Sequence, residues 1–188
     1  MLCHLEEYGK YLLITGYRNA KFSEAEAFLK QNRKEETRDV EVQFFDADLI
    51  ATRSHLYFAA QNALQAFRNK TNLSKSPSME TMLYTSAQRQ IQRAIQRCGI
   101  KPQTTKIAVT ILGTNQADVE SMFAAITHRL GVEPDEQVLE MSCEKVKLIQ
   151  EIFRIGDAEV EAVMRDGNRW ESVVNLVVEQ VALLATQL

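Results

Sequence analysis

The fold is decided by residues 40–67, which read VEVQFFDADLIATRSHLYFAAQNALQAF. The first five residues alternate apolar and polar side chains, which is the two-residue period of a strand with one exposed face. After Ser54 the apolar residues follow the spacing of one helix face instead: Leu56, Ala59, Ala60, Ala63 and Phe67. The stretch therefore predicts a strand over 40–45 and then a helix over 54–67, with Ser54 as its N-cap.

Outward from this stretch, the same two periods predict the remaining elements. Short apolar runs bounded by Gly, Ser or Pro predict three further strands: 11–16, 80–85 and 106–112. Helical spacing with end signals predicts six further helices: 23–32, 86–98, 115–130, 142–155, 157–165 and 168–186. The charged residues 33–39 predict a loop. We expect a single domain over residues 1–188 of the α/β (α+β-like) class, with a small mixed or antiparallel sheet of about four strands flanked by about seven helices.

Charge is distributed unevenly along the chain. The formal net charge is −3, yet residues 52–106 hold nine Lys or Arg and a single acid, Glu80, which gives this basic segment a net charge of +8. Residues 1–51 and 107–188 carry −3 and −8. An ordinary solvated surface mixes charges of both signs because like charges repel. The basic segment therefore predicts contact with a polyanion or an acidic partner, while the acidic remainder would lie away from it or face a basic protein.

The composition argues against several classes of protein. The three cysteines, Cys3, Cys98 and Cys143, lie far apart and form no Cys-x-x-Cys pair, so we expect neither a disulfide framework nor a zinc site. The N-terminus lacks the basic and apolar regions of a signal peptide. The most apolar stretch, 173–185, is interrupted by polar residues and falls short of the roughly 20 apolar residues of a membrane span. We expect a cytoplasmic protein without membrane contact.

No constellation of residues predicts catalysis. The three histidines lie in unrelated contexts, and the sequence contains no phosphate-loop, dinucleotide-binding or Gly-x-Ser-x-Gly motif. Asp46 and Asp48 are candidates for a cation site or an acid and base pair, but acids at this position more often support a strand-to-helix turn. We expect a non-enzymatic protein with no metal, cofactor or catalytic residue. A hydrolase that uses the two aspartates is the weakest alternative.

The strongest binding signal lies in the predicted helix 86–98. Arg89, Arg93 and Arg97 recur every fourth residue on one side of it, and no acid in the helix relieves their repulsion. Arg89 would lie in the first turn, where free backbone N–H groups and the helix dipole favour an anion such as a phosphate. A basic helix face that meets only solvent is the alternative.

A second candidate surface lies on the preceding predicted helix. His55, Phe58 and Asn62 share one stripe of that helix. A hydrogen-bonding ring, an aromatic ring and an amide in this arrangement would stack on and read unpaired RNA bases. Taken alone, however, these residues fit better with a Phe58 in the core and a His55 that bonds locally at the helix start.

The last predicted helix is apolar on two sides. Its main apolar face comprises Trp170, Val173, Val174, Val177, Val181 and Leu184. Leu176 and Leu183 lie seven residues apart and point away from that face. A helix of this kind is either buried or docks a partner, and the small size of the chain favours a partner.

The stretch from Phe45 to Leu112 resembles a known family. Its marks are Phe-Asp-Ala at 45–47, the alanine-rich helix, Ser-Met-Glu-Thr-Met-Leu-Tyr at 78–84, Ser-Ala-Gln-Arg-Gln-Ile at 86–91, Gly99-Ile100 and the strand 107–112. These marks are similar to the TPRKB family, the small non-catalytic subunits of the KEOPS (EKC) complex. The Arg-Gln-Ile form at 89–91 is similar to the archaeal members. The acidic C-terminal third matches the family only loosely.

The resemblance implies a function and its residues. Members of this family bind the small atypical kinase/ATPase of the complex, a PRPK-like protein. They help to deliver tRNA to the threonylcarbamoyl transferase subunit, which makes N6-threonylcarbamoyladenosine, so contact with the transferase is indirect. Archaeal-like members bind the tRNA 3′ CCA end, whose unpaired bases suit recognition by stacking.

Carried over by position, the family's RNA-binding role falls on four residues: Arg89, Gln90, His55 and Asn62. The basic segment adds three more: Arg93, Lys75 and Arg68. Kinase docking is expected on the last helix, at Leu176, Leu183 and Val178. A kinase-binding module that never touches RNA is the alternative.

Overall fold

The computed structural model of the chain describes residues 1–32 and 39–186. Within them the strands are β1 (Leu2–Leu5), β2 (Lys10–Arg18), β3 (Val40–Asp46) and β4 (Lys106–Gly113). The α-helices of the same residues are α1 (Phe22–Asn32), α2 (Arg53–Asn69), α3 (Pro77–Ser86), α4 (Ile91–Cys98), α5 (Gln116–Leu130), α6 (Cys143–Phe153), α7 (Asp157–Val163) and α8 (Arg169–Leu183). The predicted α+β class with a four-stranded sheet is confirmed, and the sheet is antiparallel.

The described residues fall into two compact units. The sheet unit comprises Met1–Ala47 and Gly99–Val138, and the helical unit comprises Asp48–Cys98 and Leu139–Leu188. Most of the basic segment, from residue 52 to residue 98, therefore belongs to the helical unit. In none of the described helices is there a stretch both long enough and apolar enough to cross a membrane.

The sheet unit is built around β4. The strand order is β1-β2-β4-β3, and the predicted strands at 11–16, 40–45 and 106–112 are confirmed. One core cluster joins the sheet to α1 and α5; its members include Phe44, Val109, Ile111, Val119, Met122 and Ile126. Gly16 lets β2 lie close to the segment after α5, because a Cβ there would stand 2.2 Å from Cγ2 of Val138. The four-residue strand β1 was not predicted, since so short a stretch shows no clear period.

The helical unit is built around α2. Its small inner face packs closely on α3 and α8 in a cluster of Ala59, Ala63, Ala66, Tyr84, Val181 and Leu184. A second cluster joins α6, α7 and α8; its members include Val146, Ile149, Phe153, Val160, Val173 and Val177. The predicted inner face of the alanine-rich helix is buried as expected, except that Phe67 is only half-buried.

The predicted strand at 80–85 is wrong, because these residues belong to α3. The Ser76 hydroxyl accepts a hydrogen bond from the N–H of Met79 at 3.3 Å, and Pro77 occupies the first helical position. Ser at the N-cap with Pro directly after it is a strong helix start signal. The apolar run suggested a strand because α3 is buried on nearly every side, which removes the usual amphipathic period.

Several predicted boundaries also differ from the structure. α2 begins at Arg53 with Thr52 at the cap position, so Ser54 is not its N-cap. Gln43 is buried, so β3 is less exposed than its alternation predicts. The helix predicted over 142–155 ends at Phe153, where Arg154 adopts a left-handed conformation. Most of the predicted loop at 33–39 lies outside the described residues.

Candidate functional site

The turn between α3 and α4 carries the residues that the sequence emphasises most. α3 ends at Ser86, and Ala87 adopts a left-handed conformation with a φ of 49°. The N–H groups of Ala87 and Gln88 donate to two carbonyls of the last turn of α3, at 3.0 and 3.1 Å. These two bonds form a Schellman motif, which stops a helix abruptly. The chain then passes through Arg89 and Gln90 into α4.

The exposed residues of this turn and of α4 form a mixed polar and apolar surface. Arg89, Gln90 and Arg93 are exposed, and they lie within five consecutive positions of the chain. Ile91 and Ile95 are exposed by 41% and 42%, a large fraction for isoleucine. In a short segment that also exposes Gln92 and Gln96, two guanidinium groups, the Gln90 amide and two apolar side chains therefore lie close together in sequence. We call these five residues the α4 surface.

The expected outward row of three arginines is not formed. Within the predicted helix 86–98, Ser86 ends α3 and α4 begins only at Ile91, so Arg89 lies in the connecting turn and not in the first turn of a helix. Arg97 is half-buried: its Nη1 donates to the carbonyl of Ser86 at 2.9 Å, and its Cζ lies 5.5 Å from the centre of the Phe153 ring. Burial lowers the pKa of Arg97 from its usual value, and the nearby charge of Arg154 lowers it further.

On the predicted helix 86–98, Ile91 and Ile95 lie on the apolar side, away from the arginines, and this side is expected to be buried. They are exposed because α4 is only eight residues long and buries one pair, Ala94 and Cys98. The N-cap at Ser76 is the sequence signal that would have predicted the exposure of Ile91 and Ile95. A helix of ordinary length that starts there ends before residue 90, which leaves α4 to be considered by itself.

His55 does not belong to the surface stripe that the sequence predicts. It is fully buried, its Nδ1 accepts a hydrogen bond from the N–H of Ala51 at 3.2 Å, and its Nε2 donates to the carbonyl of Thr85 at 2.8 Å. Its ring also packs edge-on against Phe153, with the ring centres 5.5 Å apart. Burial lowers the pKa of His55 to about 4, so the ring is neutral at pH 7. In this conformation His55 has no ring atom at the surface to offer to RNA.

The other two residues of that stripe do lie together at the surface. Phe58 is exposed rather than in the core, and its ring stacks edge-on against Tyr57. The side-chain amide of Asn62 donates to the carbonyl of Phe58 at 2.8 Å. The carbonyl oxygen of the Asn62 side chain is therefore oriented by a bond within α2.

The single acid of the basic segment is withdrawn from the surface. Glu80 is 1% exposed, and its carboxylate accepts hydrogen bonds from the N–H groups of Leu73 (3.1 Å) and Ser74 (2.7 Å). These bonds hold the loop that carries the exposed Lys75, and Arg68 is exposed in the last turn of α2. Lys75 lies just before α3, and the α4 surface lies after α3. The ten residues of α3, a helix about 15 Å long, therefore separate Lys75 from the α4 surface along the chain.

The three predicted partner-binding residues of α8 differ in exposure. Leu183 is 45% exposed, Val178 is half-buried, and Leu176 is half-buried against the second core cluster of the helical unit. Trp170 was expected on the main apolar face but is exposed, because it lies in the first turn of α8 outside that cluster.

The alternative that Asp46 takes part in chemistry gains no support from its surroundings. Its carboxylate accepts a hydrogen bond from the hydroxyl of Thr104 at 2.8 Å, a contact typical of a turn. Across residues 1–32 and 39–186, no three His, Cys, Asp or Glu side chains come together as metal ligands do.

Comparison with known proteins adds an independent line of evidence. Residues 17–185 match the family described as kinase binding protein CGI-121. The chain is also 31% identical over 142 residues to a protein of Methanocaldococcus jannaschii named regulatory protein Cgi121. That alignment covers 76% of this chain and 81% of the relative.

Proposed function

The chain belongs to the CGI-121 family of kinase binding proteins, and from this premise we propose that it is a non-catalytic subunit that binds both a small kinase and tRNA. The tRNA contact is to the 3′ CCA end, at the α4 surface. The kinase is the PRPK-like kinase/ATPase of the KEOPS complex, and the product of that complex is N6-threonylcarbamoyladenosine. The transferase subunit is reached only indirectly, and we place the assembly in the cytoplasm.

The observation that carries the RNA half of the proposal is the composition of the α4 surface. Arg89 and Arg93 supply charge for phosphates, and no carboxylate competes with them within α4 or its preceding turn. Ile91 and Ile95 offer an apolar surface on which an unpaired base can lie, and the amide of Gln90 can bond a base edge. This combination suits a single-stranded end better than a duplex, whose base edges are paired.

The remaining basic residues extend the same contact along the nucleic acid. Lys75 is exposed in the loop before α3, whereas the one acid of the basic segment, Glu80, is buried within α3. Lys75 and Arg68 then meet phosphates further from the 3′ end. Asn62 remains a candidate for a base or phosphate contact through its free carbonyl oxygen, whereas His55 supports the site from inside.

The RNA half is tested by replacing Arg89 with Ala and measuring the affinity for an intact tRNA transcript at several salt concentrations. We expect weaker binding and a slope of log Kd against log salt that is smaller by about 0.7 to 0.9, the value for one lost phosphate contact. Arg165→Ala, which removes an equal charge from an exposed position in the acidic third, is the control and should change neither quantity. Equal affinity and slope for Arg89→Ala and wild type would remove Arg89 from the site.

The kinase half rests on the family name and on the exposed side of α8. Leu183 is the cleanest probe, since Leu176 also packs on the core and its replacement would disturb the fold. We expect Leu183→Asp to abolish a stable complex with the purified PRPK-like kinase in size-exclusion chromatography. Ala182→Asp adds the same charge to the next exposed position, about 100° around α8, and should leave the complex intact. A complex that survives Leu183→Asp would move kinase docking elsewhere.

A kinase-binding module without RNA binding is the second candidate. It is favoured by the description of the family, which names a kinase and no nucleic acid. Under this function, the isolated chain would not shift tRNA in a gel at low salt but would still bind the kinase, so the two functions separate in one pair of measurements.

A further inference from the structure

Arg97 lies among the basic residues of α4 but makes contacts unlike theirs. Arg89 and Arg93 are exposed, whereas the Arg97 guanidinium donates inward to the carbonyl of Ser86 and stacks over Phe153. A guanidinium in this geometry combines a charge-assisted hydrogen bond with a cation–π contact. Its charge is thus engaged inside the helical unit and is poorly placed for a phosphate.

The bond from Arg97 closes the turn that carries the RNA-binding residues. Ser86 is the last residue of α3, and Arg97 lies in the last turn of α4, so their hydrogen bond joins the elements on the two sides of residues 87–90. The neighbouring carbonyl, that of Thr85, is held by the buried ring of His55. Two side chains from different helices therefore bond the terminal carbonyls of α3, groups that have no partner within a helix.

The conformation of the turn needs this support. Ala87 has a φ of 49°, a left-handed conformation that is unfavourable for a residue with a Cβ. It also packs against the cluster that contains Phe153, the same ring that lies under Arg97. Without the hydrogen bond from Arg97, the carbonyl of Ser86 would have to bond water instead, and residues 88–90 would no longer be held in one orientation.

We propose that Arg97 is a positioning residue for RNA recognition, which holds the turn at residues 87–90 so that Arg89 and Gln90 meet the tRNA 3′ end in a single orientation. This inference rests on the proposed function. It assigns Arg97 no contact with RNA, in contrast to the outward row that the sequence predicts.

The test compares Arg97→Met with Arg93→Met, a matched replacement one turn earlier on α4. The probe is one tRNA transcript prepared with and without its CCA end. We expect Arg97→Met to weaken binding of the intact tRNA about tenfold and to reduce the effect of CCA removal, because the turn no longer presents its side chains together. The slope of log Kd against log salt should stay at the wild-type value, since no phosphate contact is lost.

Arg93→Met should behave in the opposite way, with a slope smaller by about 0.7 to 0.9 and the CCA effect retained. Arg97→Lys, which keeps a cationic donor of similar length, should recover most of the affinity. If Arg97→Met does not fold, Arg97→Gln replaces it; it is uncharged and too short to reach Ser86, and the same results are expected.

Two results would overturn the positioning role: an affinity of Arg97→Met equal to that of wild type, or a decrease in its salt slope equal to that of Arg93→Met. In both cases wild type would still distinguish the two tRNA forms. Loss of that distinction in wild type itself would instead contradict the proposed function, so the two failures can be told apart.

Discussion

At the scale of single residues, the buried polar groups of the helical unit explain more of its local structure than its exposed charges do. His55 uses both ring nitrogens to join the start of α2 to the end of α3. Because Nδ1 accepts from a backbone N–H, the proton must be on Nε2, which fixes the tautomer. A histidine in a helix start could be read from the sequence, but its burial could not, since that depends on Phe153 and Thr85, which are distant in the chain.

The buried His55 predicts a specific dependence of stability on pH. Its pKa is about 4 in the folded chain and about 6.5 when exposed, so the unfolded chain takes up the proton first as the pH falls. The free energy of unfolding should therefore decrease between pH 6.5 and pH 4, by up to about 3 kcal/mol from this residue. Urea unfolding of wild type and His55→Gln across this range measures the contribution as the difference between the two curves. Parallel curves would show that folding does not change the pKa of His55.

Glu80 is a second buried polar group whose hydrogen bonds should contribute to the stability of the fold. Oε1 of its carboxylate accepts from the N–H of Leu73 at 3.1 Å, and Oε2 accepts from the same N–H at 3.1 Å and from that of Ser74 at 2.7 Å. In Gln an NH2 group replaces one of these oxygens; it can only donate and would face a backbone N–H. Glu80→Gln should therefore lower the free energy of unfolding by about 1–3 kcal/mol, the range for the loss of a charge-assisted hydrogen bond. Glu161→Gln removes an equal charge from an exposed position on α7 and should change stability by less than about 0.5 kcal/mol. Equal effects of the two replacements would mean that charge, and not the loop bonds, is responsible.

At the scale of elements, the sequence predicts the sheet unit better than the helical unit. β2, β3 and β4 were found because a sheet with one buried face leaves a two-residue period or a short apolar run. α3 was mistaken for a strand because it is buried almost completely, and burial on all sides erases the period that identifies a helix. Because of this error the helix predicted after α3 starts at residue 86 and not at residue 91, and Ile91 and Ile95 are predicted to be buried.

Helix ends offer a test of the backbone argument used for the α3–α4 turn. Gly131 ends α5 with a φ of 65°, and a Cβ there would meet no atom within 4 Å. Gly131→Ala should therefore cost about 1 kcal/mol through conformation alone. Gly156, the N-cap of α7, has a φ of −77°, and Ser is at least as good an N-cap residue as Gly, so Gly156→Ser should change the free energy of unfolding by less than about 0.5 kcal/mol. Chemical denaturation measures both, and equal costs would argue against left-handed strain as the cause.

At the scale of the whole molecule, the net charge of −3 is a poor guide to partners. This net value includes a basic segment with a charge of +8. The one acid of that segment, Glu80, is buried and hydrogen-bonded to the loop before α3. The candidate site is predictable in part: Arg89, Gln90 and Arg93 are exposed as expected, whereas His55 is buried and Arg97 is half-buried. The single domain expected over residues 1–188 stays a prediction, as do the RNA and kinase contacts themselves.

The central claim is that this chain recognises the single-stranded 3′ end of tRNA. It is tested most directly by a gel shift of the purified wild-type chain with one tRNA, with and without its terminal CCA, at two salt concentrations. We predict weaker binding of the shortened tRNA at both salt concentrations, and a steep loss of affinity for both forms as salt rises. Equal affinity for the two forms at both salt concentrations would contradict the claim.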